Sequence, residues 1–269
     1  MGYLHEGHVS LLDEARNTCE TVVMSLFVNP LQFDRDDDLD RYPRDFDRDA
    51  GLAEAAGVDV LFVPPPEVMY PSPPLTRVTV PEVTEELEGA HRPGHFDGVA
   101  IVVAKLLASL QPERSFFGRK DHQQLVMVRR IAEDLSFPGE VIGCPIVRDP
   151  DGLALSSRNI FVAARARALS ISRGLEAAAA AVEDGVTNGS ILCETVADEL
   201  DLDRVDYVTL AAQSSARPIA TLDQSAFLAV AGHLGDVRLI DNLPIDRVGE
   251  MLVPDRGLRL ETPSRLANQ

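Results

Sequence analysis

The chain has 269 residues, 45% of them hydrophobic, and its 43 acidic and 25 basic residues give a formal net charge of −18. This length suffices for one large globular domain or two modest ones. The acidity disfavours nucleic acid or an anionic membrane as a partner, and no apolar run reaches the ~18 residues of a membrane span.

The first two-thirds of the chain alternates short apolar runs with helical stretches. We predict strands at 21–28, 58–63, 115–117 and 140–147. We predict helices at 8–19, 45–56, 99–110 and 121–135. Such alternation with apolar strands is typical of an α/β fold, here a Rossmann-like parallel sheet with helices on both faces. Between these elements, the charged run 34–49 is interpreted as a solvated loop that leads into a helix.

The pattern changes in the last third. Helices are predicted at 163–183 and 190–200, followed by strands at 205–211, 226–231 and 237–241 with no long helix between them. This order predicts a smaller α+β domain with an antiparallel sheet. We therefore expect a Rossmann-like domain at 1–150, a small domain at 151–246 and a flexible tail at 247–269.

Cysteine content and the first residues bear on location. Cys19, Cys144 and Cys193 are far apart and odd in number, which favours free thiols in a reducing compartment. The first ten residues have neither the basic nor the apolar region of a signal peptide. We expect a cytoplasmic protein.

The first element with chemical potential is the glycine- and histidine-rich start. Gly2, His5, Gly7 and His8 precede a predicted helix. Glycines allow close approach to a phosphate, a helix N-terminus attracts anions, and imidazoles can donate to phosphate oxygens. Zinc-protease spacing is absent, since the histidines are three residues apart. Alone, this element leaves a nucleotide site and surface histidines about equally favoured.

Two further elements follow predicted strands or precede helices. Asn29 and Gln32 follow a strand at its carboxyl end, where substrates bind in α/β sheets, although a strand-ending turn explains them too. The segment Arg92–Val99 combines arginine, histidine and glycines before a helix. It could hold an anion, but an ordinary loop is favoured.

The last two elements carry cations or hydroxyls. Lys120 lies at a strand end, where an ammonium can meet a phosphate, and Gln124 falls one turn into the next helix. Ser156, Ser157 and Arg158 follow a turn and could cradle a polyphosphate. The alternative for the serines is helix capping.

Together and in this order, these elements resemble the motifs of the pantothenate synthetase (pantoate–β-alanine ligase) family. The matching segments are Met1–Leu11, Phe27–Phe33, Arg92–Val99, Phe117–Gln124, Asp151–Asn159 and Gly232–Asn242. The His-x-Gly-His element is shared with the wider nucleotidylyltransferase superfamily, whereas the glutamine-containing motifs are specific to the family.

The resemblance implies a two-step reaction. ATP and (R)-pantoate give pantoyl adenylate and pyrophosphate, and the amine of β-alanine then attacks the adenylate and releases AMP. It also implies Mg²⁺ bridging the phosphates, with no metal site built from protein ligands alone, and a homodimer through the N-terminal domain. Small molecules are the expected substrates, with neither nucleic acid nor membrane as a partner.

The resemblance also implies roles for individual residues. The catalytic residues are His5, His8, Lys120 and Arg158. The ATP-binding residues are Met1, Gly2, Gly7, His8, Gly118, Arg119, Lys120, Asp121, Val147, Leu155, Ser156, Ser157 and Arg158. The residues for pantoate and β-alanine are Gln32, Gln124 and Asn29.

Three departures from the family pattern matter. Arg119 stands where the family usually has glutamate, and we expect its side chain to point to solvent; His122 replaces an aromatic residue. The family's N-terminal helix and first strand have no counterpart before Met1, which predicts reduced activity for this chain. The alternatives are therefore a catalytically impaired nucleotide-binding remnant, or a nucleotidyltransferase that stops after adenylation.

Overall fold

The computed structural model describes residues 2–33 and 36–268, and the chain divides into two compact units. The first unit runs to Phe117 and resumes with Met127–Cys144. The second comprises Gly118–Val126 and the chain from Pro145 onward. Helix α8, His122–Asp134, begins in the second unit and continues in the first.

The first unit contains short strands and helices of unequal length. In chain order these are α1 Glu6–Thr18, β1 Val23–Ser25, the 3-10 helix η1 Pro30–Gln32, α2 Asp36–Arg41, α3 Phe46–Ala55, β2 Val60–Phe62, α4 Pro66–Met69, α5 Pro81–Thr84, α6 Glu88–His91, α7 His95–Leu110, β3 Arg114–Gly118 and β4 Glu140–Cys144. Strands β1 and β2 pair in parallel, with Val23 opposite Val60. Strand β3 pairs with β4.

Helix α7 supplies much of the buried surface of the first unit. Its residues Val99, Val103 and Leu107, each 7% exposed or less, recur at a spacing of four and therefore share one face. The helix ends at Gln111, which adopts a left-handed conformation and donates its N–H to the Leu107 carbonyl. Burial of this face fixes the N-terminal turn of α7, which carries His95 and Gly98.

The second unit is a helix pair packed on an antiparallel sheet. Its elements are η2 Arg119–Asp121, β5 Val147–Arg148, η3 Ser157–Phe161, α9 Arg165–Glu183, α10 Gly189–Ala197, β6 Arg204–Ala212, β7 Ala226–Leu234, β8 Val237–Val248, β9 Met251–Pro254, β10 Leu258–Arg259 and η4 Arg265–Asn268. The sheet order is β6-β7-β8-β9. Leu175 of α9, Leu192 of α10 and Leu228 of β7 lie in its core.

The predicted α/β class is confirmed, with parallel pairing in the first unit and an antiparallel four-stranded sheet in the second. The predicted strand 21–28 is longer than the observed β1. Leu26 and Phe27 are buried; the Leu26 N–H still donates to the Phe62 carbonyl at 2.9 Å, and the chain then turns at Asn29 into η1. The apolar run is therefore buried over a longer stretch than the one that pairs as a strand.

The described part of the segment 247–269, for which a flexible tail was predicted, contains paired backbone, and its flexibility stays a prediction. Strand β9 pairs with β8, and β10 pairs in parallel with β5. Ser264 and Leu266 are buried at 1% and 4% exposure. The polar, proline-containing composition of this segment concealed its backbone pairing, which depends little on side-chain identity.

No helix within the described ranges is both long and apolar enough to cross a membrane.

Candidate active site

A buried carboxylate from α3 holds the start of the chain. Asp49 is 1% exposed, and its two oxygens accept the N–H groups of Tyr3 at 2.6 Å and Leu4 at 2.7 Å. Tyr3 has a φ of 57°, a costly conformation for a residue with a Cβ, which these hydrogen bonds stabilise. The path of the backbone into α1 is therefore fixed by tertiary contacts.

The hydrogen bonds of His5 and His8 fix the position of their ring protons. His5 caps α1, and its Nδ1 accepts the N–H of Gly7 at 3.1 Å. The Nδ1 of His8 accepts the N–H of His5 at 3.2 Å. A neutral ring that accepts at Nδ1 carries its proton at Nε2. Both rings, with centroids 4.0 Å apart, can therefore donate from Nε2 to an anion at this helix start.

The remaining predicted residues of this element have simpler surroundings. Met1 lies outside the described residues. Gly2 is buried, and its carbonyl accepts from the Tyr42 hydroxyl at 3.4 Å. Gly7 lies in the first turn of α1. Sequence reasoning missed the role of Asp49, because this residue lies inside the charged run 34–49. Asp34 and Arg35 of that run are outside the described residues.

Asn29 has its side chain fully engaged within the first unit. It is 1% exposed, and its Oδ1 accepts from Leu31 N–H at 3.3 Å and from the Tyr70 hydroxyl at 2.9 Å. Its Nδ2 donates to the Gly98 carbonyl at 2.9 Å and to Gln32 Oε1 at 3.2 Å. Burial raises the pKa of Tyr70 to about 12, so its hydroxyl stays a donor. These bonds use both donors and both lone pairs of the amide.

The structure thereby gives Asn29 a positioning role. Its amide orients Gln32, and the prediction that Asn29 itself contacts substrate stays a prediction.

His95 supports the same short helix from the other side. Its Nδ1 lies 2.8 Å from the carbonyl oxygen of Gln32, and its Nε2 lies 3.0 Å from Nη1 of Arg92. A carbonyl only accepts and a guanidinium only donates, so His95 is neutral with its proton on Nδ1. The Arg92–Val99 segment, favoured as an ordinary loop, therefore helps to hold Gln32.

Gly98 allows α7 to approach the backbone of η1 closely. A Cβ at this position would lie 1.9 Å from the Leu31 carbonyl oxygen and 2.7 Å from the Gln32 N. Only glycine fits there without movement of one backbone against the other. Glycine at position 98 of the Arg92–Val99 segment is therefore explained by the packing of α7 against η1.

Replacing Gly98 by alanine is expected to lower the free energy of unfolding by about 3 kcal/mol, because overpacking against a rigid backbone forces a shift. The matched control is Gly51→Ala in α3, where a Cβ meets nothing within 4 Å. That change is expected to raise stability by about 0.5 kcal/mol, since alanine is the better helix former. Urea denaturation of both variants checks this, and equal stabilities would contradict the close approach.

In the second unit, Asn242 of β8 supports the turn that carries Lys120. Asn242 is 2% exposed, and its Nδ2 donates to the carbonyls of Arg119 at 3.0 Å and Lys120 at 2.8 Å. Within the described parts of the chain, the Lys120 ammonium has no ion-pair or hydrogen-bond partner. The backbone under Lys120 is therefore fixed while its charge stays available to an anion.

The environment of Arg119 corrects the expectation that it points to solvent. Its Nη1 lies 3.0 Å from Asp246 and 3.2 Å from Asp255. Burial opposes ionisation of Asp246, but hydrogen bonds from Gln213 and Arg119 outweigh it and lower the pKa of Asp246. The guanidinium is engaged by carboxylates, so its predicted contact with ATP has no support in this geometry.

The remaining predicted residues of this unit differ in exposure. Val147, Leu155 and Ser157 are buried, Ser156 and Arg158 are half-buried, and the Leu155 N–H bonds the Val147 carbonyl at 2.9 Å. Ser156 caps η3, because its Oγ accepts the Arg158 N–H at 3.3 Å. The capping interpretation of this serine is thus confirmed, whereas Ser157 is inside η3.

Three other predicted residues lie around the end of β3. Gly118 precedes η2, Asp121 is exposed at its last position, and Gln124 is half-buried in the first turns of α8.

A buried ion pair holds the loop that carries the serines. Arg148 and Asp241 have side chains 4% and 5% exposed, and form two hydrogen bonds of 2.6 Å and 3.1 Å. Burial opposes the charge of Arg148, but Asp241 outweighs it and raises the pKa of Arg148. Asp241 and Asn242 are adjacent residues of β8. One holds the loop that carries Ser156 and Ser157, here named the serine loop, and the other holds the turn that carries Lys120, here named the lysine turn. Sequence reasoning missed Asp241 and Asn242, although they end the matching segment Gly232–Asn242.

A mixed α/β chain whose helix start offers two imidazole donors is typical of enzymes that bind nucleotide phosphates. The sequence model of the pantoate–β-alanine ligase family matches residues 1–244. The chain belongs to the pantoate–β-alanine ligase family.

Named relatives agree with this assignment. A pantothenate synthetase of Heliobacterium modesticaldum is 47% identical over 252 residues, which cover 91% of this chain and 89% of that protein. A bifunctional pantoate ligase/cytidylate kinase of Thermosynechococcus vestitus is 47% identical over 279 residues, covering 100% of this chain. This chain spans 54% of that longer protein.

Solved structures show the same fold. A pantothenate synthetase from Thermus thermophilus has 45% identity and a TM-score of 0.86, with 90% of each chain covered. A pantoate–β-alanine ligase from Francisella tularensis, complexed with beta-gamma ATP and β-alanine, has 32% identity and a TM-score of 0.69. That match covers 90% of this chain and 86% of the other.

Proposed function

We propose that this chain condenses (R)-pantoate with β-alanine to pantothenate at the expense of ATP, through a pantoyl-adenylate intermediate. The observation that carries the proposal is the family match over residues 1–244. The paired imidazoles at the start of α1, both able to donate from Nε2, support it from the chemistry of the site.

In the first step, a carboxylate oxygen of pantoate attacks the α-phosphorus of ATP, the bond to the bridging oxygen breaks, and pyrophosphate leaves. His5 and His8 donate from Nε2 to phosphate oxygens and stabilise the negative charge that develops there. Gln32, oriented by Asn29 and His95, holds pantoate. In the second step, the amine of β-alanine attacks the acyl carbon, an amide forms, and AMP leaves.

The second unit supplies further phosphate contacts in this proposal. Lys120 places a compact ammonium against the phosphates, where it offsets charge on the departing pyrophosphate. Ser156, Ser157 and Arg158 bind phosphate oxygens, and Gln124 binds pantoate. Val147 and Leu155, which bond each other through the Leu155 N–H and the Val147 carbonyl, are proposed to line the nucleotide site.

Mg²⁺ is proposed as the counter-ion of ATP. Asp246 and Asp255, two carboxylates beside the Lys120 turn, are engaged by Arg119. An ion held mainly by phosphate oxygens and water fits that donor set, because Mg²⁺ keeps several waters and binds substrate phosphates. Bound there, such an ion would neutralise part of the phosphate charge.

We also propose a homodimer through the first unit and a cytoplasmic location. The odd number and wide spacing of Cys19, Cys144 and Cys193 support a reducing compartment. Sedimentation at several protein concentrations tests the dimer.

The decisive experiment measures AMP formation by the purified chain with ATP and Mg²⁺. We expect it to require both pantoate and β-alanine, and we expect pyrophosphate–ATP exchange to require pantoate alone. Exchange without AMP formation would identify an enzyme that stops after adenylation. If the chain were an impaired remnant, neither reaction would occur. Exchange without AMP formation, or the absence of both reactions, would contradict the proposal.

A further inference from the structure

The segment 249–266, here named the C-terminal segment, follows the part of the chain that the family's sequence model matches. It contains β9 and β10 and ends in the buried residues Ser264 and Leu266. Its path returns to both groups of proposed nucleotide contacts in the second unit, the serine loop and the lysine turn.

The first set of contacts is with the base of the serine loop. Leu258 and Leu260 donate their N–H groups to the carbonyls of Ile146 at 2.7 Å and Arg148 at 2.9 Å. The N–H of Ser264 donates to Asp149 Oδ1 at 2.7 Å. The C-terminal segment thus forms a parallel partner for β5, directly before the turn that leads to Ser156–Arg158.

Gly257 makes this approach possible. Its φ is 76°, and a Cβ there would lie 2.2 Å from the Ile146 carbonyl oxygen. Both the conformation and the space require glycine. The preceding residue, Arg256, pairs with Glu176 and Glu183 on α9 and accepts at its carbonyl from Arg148 Nε at 3.0 Å. The segment is therefore fixed on both sides of Gly257.

The second set of contacts is with the lysine turn. Asp255 Oδ1 accepts the Gly257 N–H at 2.9 Å, which orients the carboxylate. Its Oδ2 lies 3.2 Å from Nη1 of Arg119, the residue directly before Lys120. The guanidinium of Arg119 and the carboxylate of the C-terminal segment therefore carry complementary charges.

We infer that the C-terminal segment is a positioning element for the nucleotide: β10 holds the serine loop, and Asp255 holds the lysine turn through Arg119. This inference rests on the proposed roles of Lys120 and Ser156–Arg158. It assigns the segment a function in ATP binding.

The first test removes one backbone donor from the full chain. Leu260→Pro abolishes the N–H that binds the Arg148 carbonyl, and we expect the KM for ATP to rise by about tenfold as the loop shifts. Hydrogen exchange at the Gly152 and Leu155 amides, which bond within the loop, is expected to accelerate. The KM for β-alanine is expected to stay unchanged.

Two controls isolate the backbone effect. Leu260→Ala keeps the N–H, and Glu261→Pro places the same ring at an exposed neighbour whose N–H donates no hydrogen bond within the described residues. Both are expected to leave the KM for ATP unchanged. An unchanged KM and unchanged exchange in Leu260→Pro would overturn the inference. Failure of the wild-type chain to turn over ATP would instead reject the proposed function, while hydrogen exchange still reports on the loop.

The second test uses the charge pair. Arg119→Glu sets a carboxylate against Asp246 and Asp255, so we expect the KM for ATP to rise by about tenfold. Adding Asp255→Arg supplies a new partner and is expected to recover most of that loss, as a double-mutant cycle measures. No effect of Arg119→Glu, or no recovery in the double variant, would overturn the role of this pair.

Discussion

Replacing Lys120 by methionine is expected to lower kcat/KM for ATP by about a thousandfold, or about 4 kcal/mol of transition-state stabilisation. The side chain keeps its length but loses its charge, and the carbonyl hydrogen bonds from Asn242 remain. The loss therefore reports the ammonium and not the fold of the turn. Initial rates of pyrophosphate release measure it.

Two variants bracket this result. Lys120→Arg keeps the charge but exchanges a compact ammonium for a planar fork, and is expected to retain more activity than the methionine variant. Arg173→Ala removes an exposed cation of α9 that faces Glu199 at 3.6 Å, and is expected to have wild-type rates. Equal rates for Lys120→Met and wild type would show that Lys120 does not act on the phosphates.

Replacing His8 by asparagine is expected to reduce pantoate-dependent pyrophosphate–ATP exchange by about a hundredfold. The asparagine oxygen can take the place of Nδ1 and keep accepting the His5 N–H, but the donor at Nε2 is lost. The thermal midpoint is expected to change little, because the cap of α1 is retained.

His8→Gln is the matched control, since its terminal amide can place a donor near the former Nε2. We expect it to retain more exchange activity than His8→Asn. If the asparagine variant were the more active of the two, the contribution of His8 would lie in the cap and not in a donor to phosphate.

The helices and strands were predicted well from the sequence, because the residues that determine each of them lie close together in the chain. The apolar spacing of α7 and the apolar run that became β7 are examples of this kind. The histidine pair was recognised for the same reason, since His5 caps the helix that carries His8.

Long-range partners could not be predicted in this way. His95 supports Gln32 although the two residues are 63 positions apart in sequence. Their contact requires α7 to lie close to η1, which Gly98 allows. Arg119 could have paired with any of many carboxylates, and it is 127 and 136 residues from its two partners. The role of Asp49 was not predicted because a charged run predicts a solvated surface, whereas this carboxylate of the run is buried.

The placement of Asp241 and Asn242 on one strand has a consequence for folding. Successive side chains of a strand point to opposite faces, so one residue faces Arg148 while the next reaches the carbonyl of Lys120. A slip of β8 by one residue against β7 would exchange those directions and release both segments at once. During refolding, nucleotide binding is therefore expected to return only after β7 and β8 have paired with Val230 opposite Asp241. ATP affinity then reports whether these strands are correctly aligned.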